Sequence, residues 1–249
     1  MFQALKFLLL VLFLASTPIA LYAVYFLEMD RIYCAIANSY AFSIAMIGLY
    51  VYPFVISDAK YNNSMTQRIH NATMNWIIWL SVFTEIVFQI PHNLCVKQLH
   101  AIQGSAIEWP FYSYGLCDSR WNNYHDGTHL NFEVELINYN DAILGIFVLL
   151  SYLYYKNSNM NYQSTIIFVL TVIFRDATLF RETVEYMWDH HHKDYIYTTT
   201  DEVYRIHGIV CLWLVNGIWL IAPIVSLFWG YNMIMPFMTH HAVKTKKER

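Results

Sequence analysis

Charged residues are scarce in this chain. Lys, Arg, Asp and Glu make up 13% of its 249 residues, whereas ordinary soluble domains have about 25%. The formal net charge of -3 gives no basic surface for nucleic acid, so that class of partner is excluded. With a hydrophobic share of 57%, this deficit of charge indicates that lipid surrounds most of the chain.

Several catalytic and metal-binding motifs are also missing. Four cysteines are too few for a disulfide framework, and they lack the paired C-x-x-C spacing of zinc sites. The absence of G-x-S-x-G, H-E-x-x-H and a glycine-rich phosphate loop removes the usual support for hydrolase and nucleotide chemistry. Consecutive histidines in DHHHKD at 189–194 cannot easily converge on one ion, so we interpret them as a solvated loop. We expect no metal and no cofactor.

Apolar runs long enough to cross a bilayer are what the chain does contain. Crossing about 30 Å of hydrocarbon takes about 20 helical residues. Such runs lie at 7–27, 33–57, 74–94, 136–155, 164–187 and 206–235. They predict an all-α, polytopic membrane helix bundle. The first run is longer than the apolar part of a typical signal peptide, so we interpret it as a true span, with a signal anchor as the alternative.

Six spans place both chain ends on one side of the membrane. The tail at 236–249 is basic, which favours the cytosol. The loop predicted at 58–73, with N-x-[ST] sequons at Asn62 and Asn71, then also lies in the cytosol, where no glycan is added. The final KKER matches the dilysine signal that returns proteins to the endoplasmic reticulum, although an ordinary basic tail is the alternative. We expect a multi-pass protein of that membrane.

Carboxylates and amides inside these runs are the most specific feature of the sequence. A charge at the centre of a membrane helix costs roughly 2.5–3.5 kcal/mol, so it needs a partner or a function. Glu85 lies in the middle of the third run, with Ser81 one turn before it and Gln89 one turn after it. Burial favours the protonated carboxyl that a general acid needs. Alternatively, Glu85 only pairs with Arg175 or bonds to Gln89.

The fourth and fifth runs also carry polar residues. In the fourth, Glu135, Asn138 and Asp141 recur at i, i+3 and i+6 and so share a helix face. The fifth run ends in a cluster of charged residues, so we expect its polar side to face protein. These are Arg175, Asp176, Arg181, Glu182 and Glu185.

The sixth run carries NGIWLIAP, in which Asn216, Trp219 and Pro223 lie on one stripe. The face of a tryptophan ring attracts cations, so an amide beside an indole suits a developing positive charge. The alternative is that Asn216 joins two helices by hydrogen bonding and Trp219 fills volume.

Taken in order, these polar faces resemble the emopamil-binding family of sterol Δ8–Δ7 isomerases, also described as the EXPERA domain. SYGLCDSRW at 113–121 is similar to the family's E-Y-x-K-x-D-S-R-Y, and FRDATLF, with Asp176, is similar to its G-D-x-x-x-F. NGIWLIAP resembles N-A-L-W-L-x-x-P, and Glu135 falls where the family has its second acid. The resemblance implies a five-helix core. The predicted units are a span in 1–32, this EXPERA-like core in 33–235 and a cytosolic tail in 236–249.

Two departures from the family pattern matter for the proposed chemistry. The family's catalytic histidine, one turn before the first acid, is Ser81 here, and a threonine of its fourth helix is Asn138. In addition, TEIVFQIP resembles the sigma-2 receptor branch, whose members bind sterol-like ligands without known isomerisation.

The resemblance implies an isomerase that shifts a sterol double bond through a carbocation. Glu85 and Glu135 would transfer the protons, Trp219 would stabilise the cation and Asn216 would orient an acid. The predicted substrate contacts are Ser81, Asn138 and Asp176. The sterol would enter from membrane lipid, cationic amphiphiles would inhibit, and a homodimer is compatible with this arrangement.

Two other functions remain as alternatives. One is a non-catalytic sterol- or amphiphile-binding membrane protein of the same superfamily, which only turnover would distinguish from the isomerase. The other is a transporter or channel that uses the buried carboxylates as an ion path, which would need a water-filled cavity open to both sides.

Overall fold

All regular secondary structure in the described part of the chain is helical. The computed structural model describes residues 2–55, 64–82, 84–91, 105–106, 108–116, 132–193 and 202–247. Within these ranges five helices are long and apolar enough to cross a membrane: Ala4–Tyr25, Arg31–Val55, Leu136–Asn157, Tyr162–Trp188 and Asn216–Met238. The predicted all-α fold is confirmed, and the chain is a multi-pass membrane protein.

The third predicted span has an unusual form. Its helix continues from α3 into two wider π-helical segments, in which the backbone bonds from i to i+5. In chain order, the elements are α1 (Phe2–Tyr25), α2 (Arg31–Val55), α3 (Met65–Met74), the π-helical segments Asn75–Val82 and Glu85–Gln89, α4 (Trp109–Gly115), α5 (Phe132–Asn157), α6 (Tyr162–Lys193) and α7 (Glu202–Lys247).

The prediction of a loop over 58–73 is wrong from Met65 onward. The hydroxyl of Ser64 accepts a hydrogen bond from the backbone N–H of Gln67 at 3.3 Å, which caps α3 at its start. Nη1 of Arg68 donates to the carbonyl oxygen of Phe54 at 2.6 Å and joins these polar turns to α2. A helix can therefore start well before the apolar run.

Two other helices are also longer than their apolar runs. The prediction of a loop at 189–194 is wrong for 189–193, because these residues form the end of α6. No glycine or proline interrupts the helix there. Helix α7 likewise continues to Lys247, beyond the boundary predicted at 236. The length of an apolar run thus indicates the membrane-crossing part of a helix, but it does not indicate the residue at which the helix ends.

Neighbouring helices alternate in direction. Near the start of α3, His70 accepts a hydrogen bond from Nε1 of Trp229, in the second half of α7, at 3.0 Å. Lys156, at the end of α5, is within electrostatic reach of His70. At the opposite end, Gln89 donates to Asp141, in the first turns of α5, at 2.9 Å. Polar residues late in the third predicted span therefore meet residues early in α5.

The apolar core lies between α2, the third predicted span, α5, α6 and α7. Trp76, Phe168 and Trp229 are fully or almost fully buried there. Helix α1 packs on α2, where Phe13 stacks on Phe42 with ring centroids 4.7 Å apart. Only 17% of the apolar window of α1 is buried, the lowest share among the five spans. Helix α1 is thus a peripheral element, on the edge of the bundle.

Candidate functional site

An ion pair between Glu85 and Arg175 lies inside the bundle. Nε and Nη2 of Arg175 donate to Oε1 of Glu85 at 2.9 and 2.6 Å, and both side chains are fully buried. Nη1 of Arg175 donates to Oδ1 of Asp176, whose carboxyl is also buried. One guanidinium thus serves two carboxyl groups. Because Glu85 and Asp176 share this guanidinium, the cluster has more acidic than basic groups.

Two indole rings lie against this ion pair. The ring of Trp76 is 5.8 Å from Cζ of Arg175, and its Nε1 donates to Oδ1 of Asp176 at 3.5 Å. Trp219 meets Trp76 edge to face, with ring centroids 4.6 Å apart. Asn216 is buried one turn before Trp219. The predicted aromatic residue of α7 is therefore connected to the acidic cluster through Trp76.

A second group of polar side chains adjoins the first, between α5 and α6. Nε2 of Gln89 donates to Oδ2 of Asp141 at 2.9 Å, and Nδ2 of Asn140 donates to Oε1 of Glu182 at 2.5 Å. The carboxyl groups of Asp141 and Glu182 are at hydrogen-bonding distance from each other. Asp141 also interacts electrostatically with Glu85. The two groups form one buried polar network.

Gly145 allows Glu85 to approach the backbone of α5. A Cβ atom on Gly145 would collide with Oε2 of Glu85 and would lie 3.2 Å from its Cβ and Cδ. Any larger residue at this position must displace the carboxylate. The glycine is therefore part of the site, because it provides the space for the ion pair.

Of the predicted catalytic residues, Glu85 and Trp219 lie in this network. Asp176, a predicted substrate contact, lies between them, and Asn138 is fully buried on α5. The side chains of Ser81 and Glu135 lie outside the described residues, as do residues 117–121 of the SYGLCDSRW segment. Their roles stay predictions, as does the common ligand cavity.

Glu85 is paired with Arg175, the contact that the alternative interpretation of this residue requires, while its predicted catalytic role stays a prediction. Gln89, the other predicted partner of Glu85, donates a hydrogen bond to Asp141. The predicted inward orientation of the polar side of the fifth run is confirmed for Arg175, Asp176 and Glu182. It is wrong for two other residues of that side, since the side chains of Arg181 and Glu185 are 65% and 66% exposed.

Comparison of the chain with protein-family models, with curated proteins and with solved structures gives no match in any of the three.

Four residues of the network, including Asn140, had no role in the sequence-based site. Trp76 lies nine residues before Glu85 and shares no helical stripe with it, so spacing gave no signal. Gly145 is one turn after Asp141 on the same face, a weak signal for close helix approach. Glu182 was visible only as one of several charges at the end of the fifth run.

Chemically, the network is suited to a positive charge in an apolar setting. Carboxyl groups outnumber the one guanidinium of this network, and ring faces of Trp76 and Trp219 add a negative electrostatic surface. In a medium with little water such fixed groups act strongly on a developing charge.

Proposed function

We propose that this protein is a sterol Δ8–Δ7 isomerase of the endoplasmic reticulum membrane. The observation that carries the proposal is one buried network of contacts. It runs from Glu85 through Arg175 to Asp176, and from there through Trp76 to Trp219. An apolar ring system can reach such a site from lipid. A carbocation formed there is stabilised by the carboxylates and the indole faces.

The reaction is balanced in protons. The electron pair of the ring alkene takes up a proton from an acid, which forms a C–H bond and leaves a cation on the other alkene carbon. A C–H bond next to the cation then breaks, its electrons form the new double bond, and its proton goes to a base. Because Glu85 accepts two hydrogen bonds from Arg175, we assign Glu85 to the base in this proposal and not to the acid.

Trp219 and Trp76 stabilise the cation in this proposal, and Asn216 orients a carboxyl group. Glu135 remains the acid that the family resemblance implies. The dilysine match in the tail supports the endoplasmic reticulum as the compartment.

A second candidate is a non-catalytic protein that binds sterols or cationic amphiphiles. The Glu85–Arg175 pair favours it, because a carboxylate held by two guanidinium hydrogen bonds exchanges protons less readily. Ser81 stands where the family has its catalytic histidine, and Arg175 stands where the G-D-x-x-x-F motif has glycine. Both departures affect proton transfer more than binding.

Sterol profiling in a yeast strain that lacks Δ8–Δ7 isomerase separates the two candidates. Wild-type protein and a Glu185→Gln control, changed at an exposed carboxylate of α6, should convert accumulated Δ8-sterol to Δ7-sterol. Glu85→Gln should lose about 100-fold or more of this activity, the usual contribution of a general base. Protein amounts are matched by immunoblot.

Sterol binding to the purified proteins completes the experiment. Folded wild-type protein that binds sterol without converting it would support the binding protein. Failure to bind sterol would rule out both candidates.

A further inference from the structure

The Asp141–Glu182 pair lies outside the roles assigned above. Asp141 is 3% exposed and Glu182 is 6% exposed, so both carboxyl groups are almost fully removed from solvent. Each already accepts one amide hydrogen bond, from Gln89 and Asn140 respectively. Two ionised carboxylates at hydrogen-bonding distance would repel each other strongly in such surroundings.

Two of the four carboxyl oxygen atoms of the pair lack a hydrogen-bond donor in the described part of the chain. Among the residues that the structure describes, Oδ1 of Asp141 and Oε2 of Glu182 have no hydrogen-bond partner. Oε1 of Gln89, an uncharged side chain that is nine-tenths buried beside them, also has none in the described ranges. Buried acceptors are rarely left unpaired. One proton held between the two carboxyl groups supplies the missing donor for the pair.

The charged neighbours define a direction for this proton. On one side, Asp141 is within electrostatic range of Glu85, which is paired with Arg175. Towards the surface, Glu182 has the guanidinium of Arg181 at 3.6 Å. The side chain of Arg181 is 65% exposed. The pair therefore lies between the buried acidic network and the outer face of α6, near the end of the membrane-crossing part of that helix.

We propose that Asp141 and Glu182 share one proton and form a relay between the exposed face of α6 and the buried network around Glu85. Chains of Asp, Glu and His side chains form the proton relays of membrane pumps and transporters. The role of the relay in turnover rests on the proposed isomerase, in which a proton taken up by Glu85 has to return to the acid after each cycle. Protons enter and leave the relay in equal number, so no other reactant is needed.

Infrared spectroscopy of the purified full-length protein tests the shared proton without reference to activity. The wild-type protein should show the carbonyl band of a protonated carboxyl group, and the band should shift soon after transfer to D2O. The difference spectrum between wild type and variant should contain this band for Asp141→Asn and for Glu182→Gln but not for Glu185→Gln, and any band from the proposed acid Glu135 cancels in the difference. No such band in wild type, a band that does not respond to D2O, or its absence from the difference spectra of both variants would overturn the proposal.

The rate of Δ7-sterol formation tests the relay. Glu182→Gln should slow formation of Δ7-sterol by about 10-fold or more with an unchanged Kd for sterol, since the residue moves protons and does not touch substrate. Turnover equal to that of wild type in a variant that has lost the band would overturn the relay. Wild-type protein with the band but without Δ7-sterol would refute the isomerase and would still support the shared proton.

Discussion

At the scale of single residues, Arg175 balances the buried acids. It is the partner of Glu85 and Asp176 at once, and all three side chains are at most 1% exposed. Removing one member of a buried ion pair is costly because the other charge stays buried without compensation.

We therefore expect Arg175→Met to lower the free energy of unfolding by about 3–5 kcal/mol. The double variant Arg175→Met with Glu85→Leu should recover part of the loss, since the uncompensated carboxylate is removed. Arg181→Met, at a mostly exposed position of the same helix, should change stability by less than about 0.5 kcal/mol. Denaturation in detergent measures all three. Equal losses for Arg175→Met and Arg181→Met would contradict the importance of the ion pair.

Gly145 gives a second prediction at this scale. Gly145→Ala should destabilise the protein by about 1–3 kcal/mol, because the added Cβ collides with the carboxylate of Glu85. In a Glu85→Ala background the same change should cost much less. Gly217 is the matched control on α7, where an added Cβ meets nothing within 4 Å. Gly217→Ala should stabilise by up to about 1 kcal/mol through helix propensity. The same loss from Gly145→Ala in both backgrounds would rule out the collision.

At the scale of elements, the π-helical segments explain why one polar stripe separates into two sets of contacts. Spacing of four residues predicted that Glu85 and Gln89 share a helix face. In the wider turn of Glu85–Gln89, Glu85 bonds to α6 and Gln89 bonds to α5. Single π-helical turns are frequent at functional sites. The local backbone thus lets one helix supply polar groups to two neighbours.

The contact between α3 and α7 predicts a pH dependence. Burial lowers the pKa of His70, which precedes the third predicted span, and the charge of Lys156 lowers it further. Because the folded pKa is below the unfolded value of 6.5, the unfolded state binds the proton more readily. His70 therefore contributes stability above pH 6.5, and this contribution is lost as the pH falls from there through the lower folded pKa.

Thermal unfolding at about pH 7.5 and about pH 5.5 measures this effect, since the interval includes the normal histidine pKa. Wild type should lose more stability on acidification than His70→Gln, whose amide oxygen can still accept the hydrogen bond from Trp229. A steeper loss in His70→Gln than in wild type would contradict the assignment.

At the scale of the whole molecule, alternating helices predict the sidedness of the loops. A sequon inserted between α6 and α7 should receive a glycan, and one placed after Lys247 should not. Asn62 and Asn71 should stay unmodified, as expected for the cytosolic side. Asn71 lies on α3, where its Oδ1 accepts a hydrogen bond from Gln67 at 3.1 Å. Loss of a glycan on endoglycosidase treatment is the measurement, and a glycan on either natural sequon would reverse the topology.

The sequence by itself determined the fold class and the need for buried partners. Long apolar runs can satisfy their backbone groups inside lipid only as helices, so the all-α bundle follows from composition. Charges near the middle of such runs need protein partners because lipid does not solvate them, and this identified Glu85 and Arg175 before any contact was known, whereas Arg181 and Glu185 near the end of the fifth run are exposed.

Tertiary structure alone decided which groups pair. Glu85 and Arg175 are 90 residues apart, and Gln89 and Asp141 are 52 apart. Local spacing contains no information on such contacts, because it relates residues only within one helix. The π-helical backbone and the space above Gly145 set the direction of Glu85 and thereby its partner. Sequence thus identified the polar residues, and packing between helices determined the network that they form.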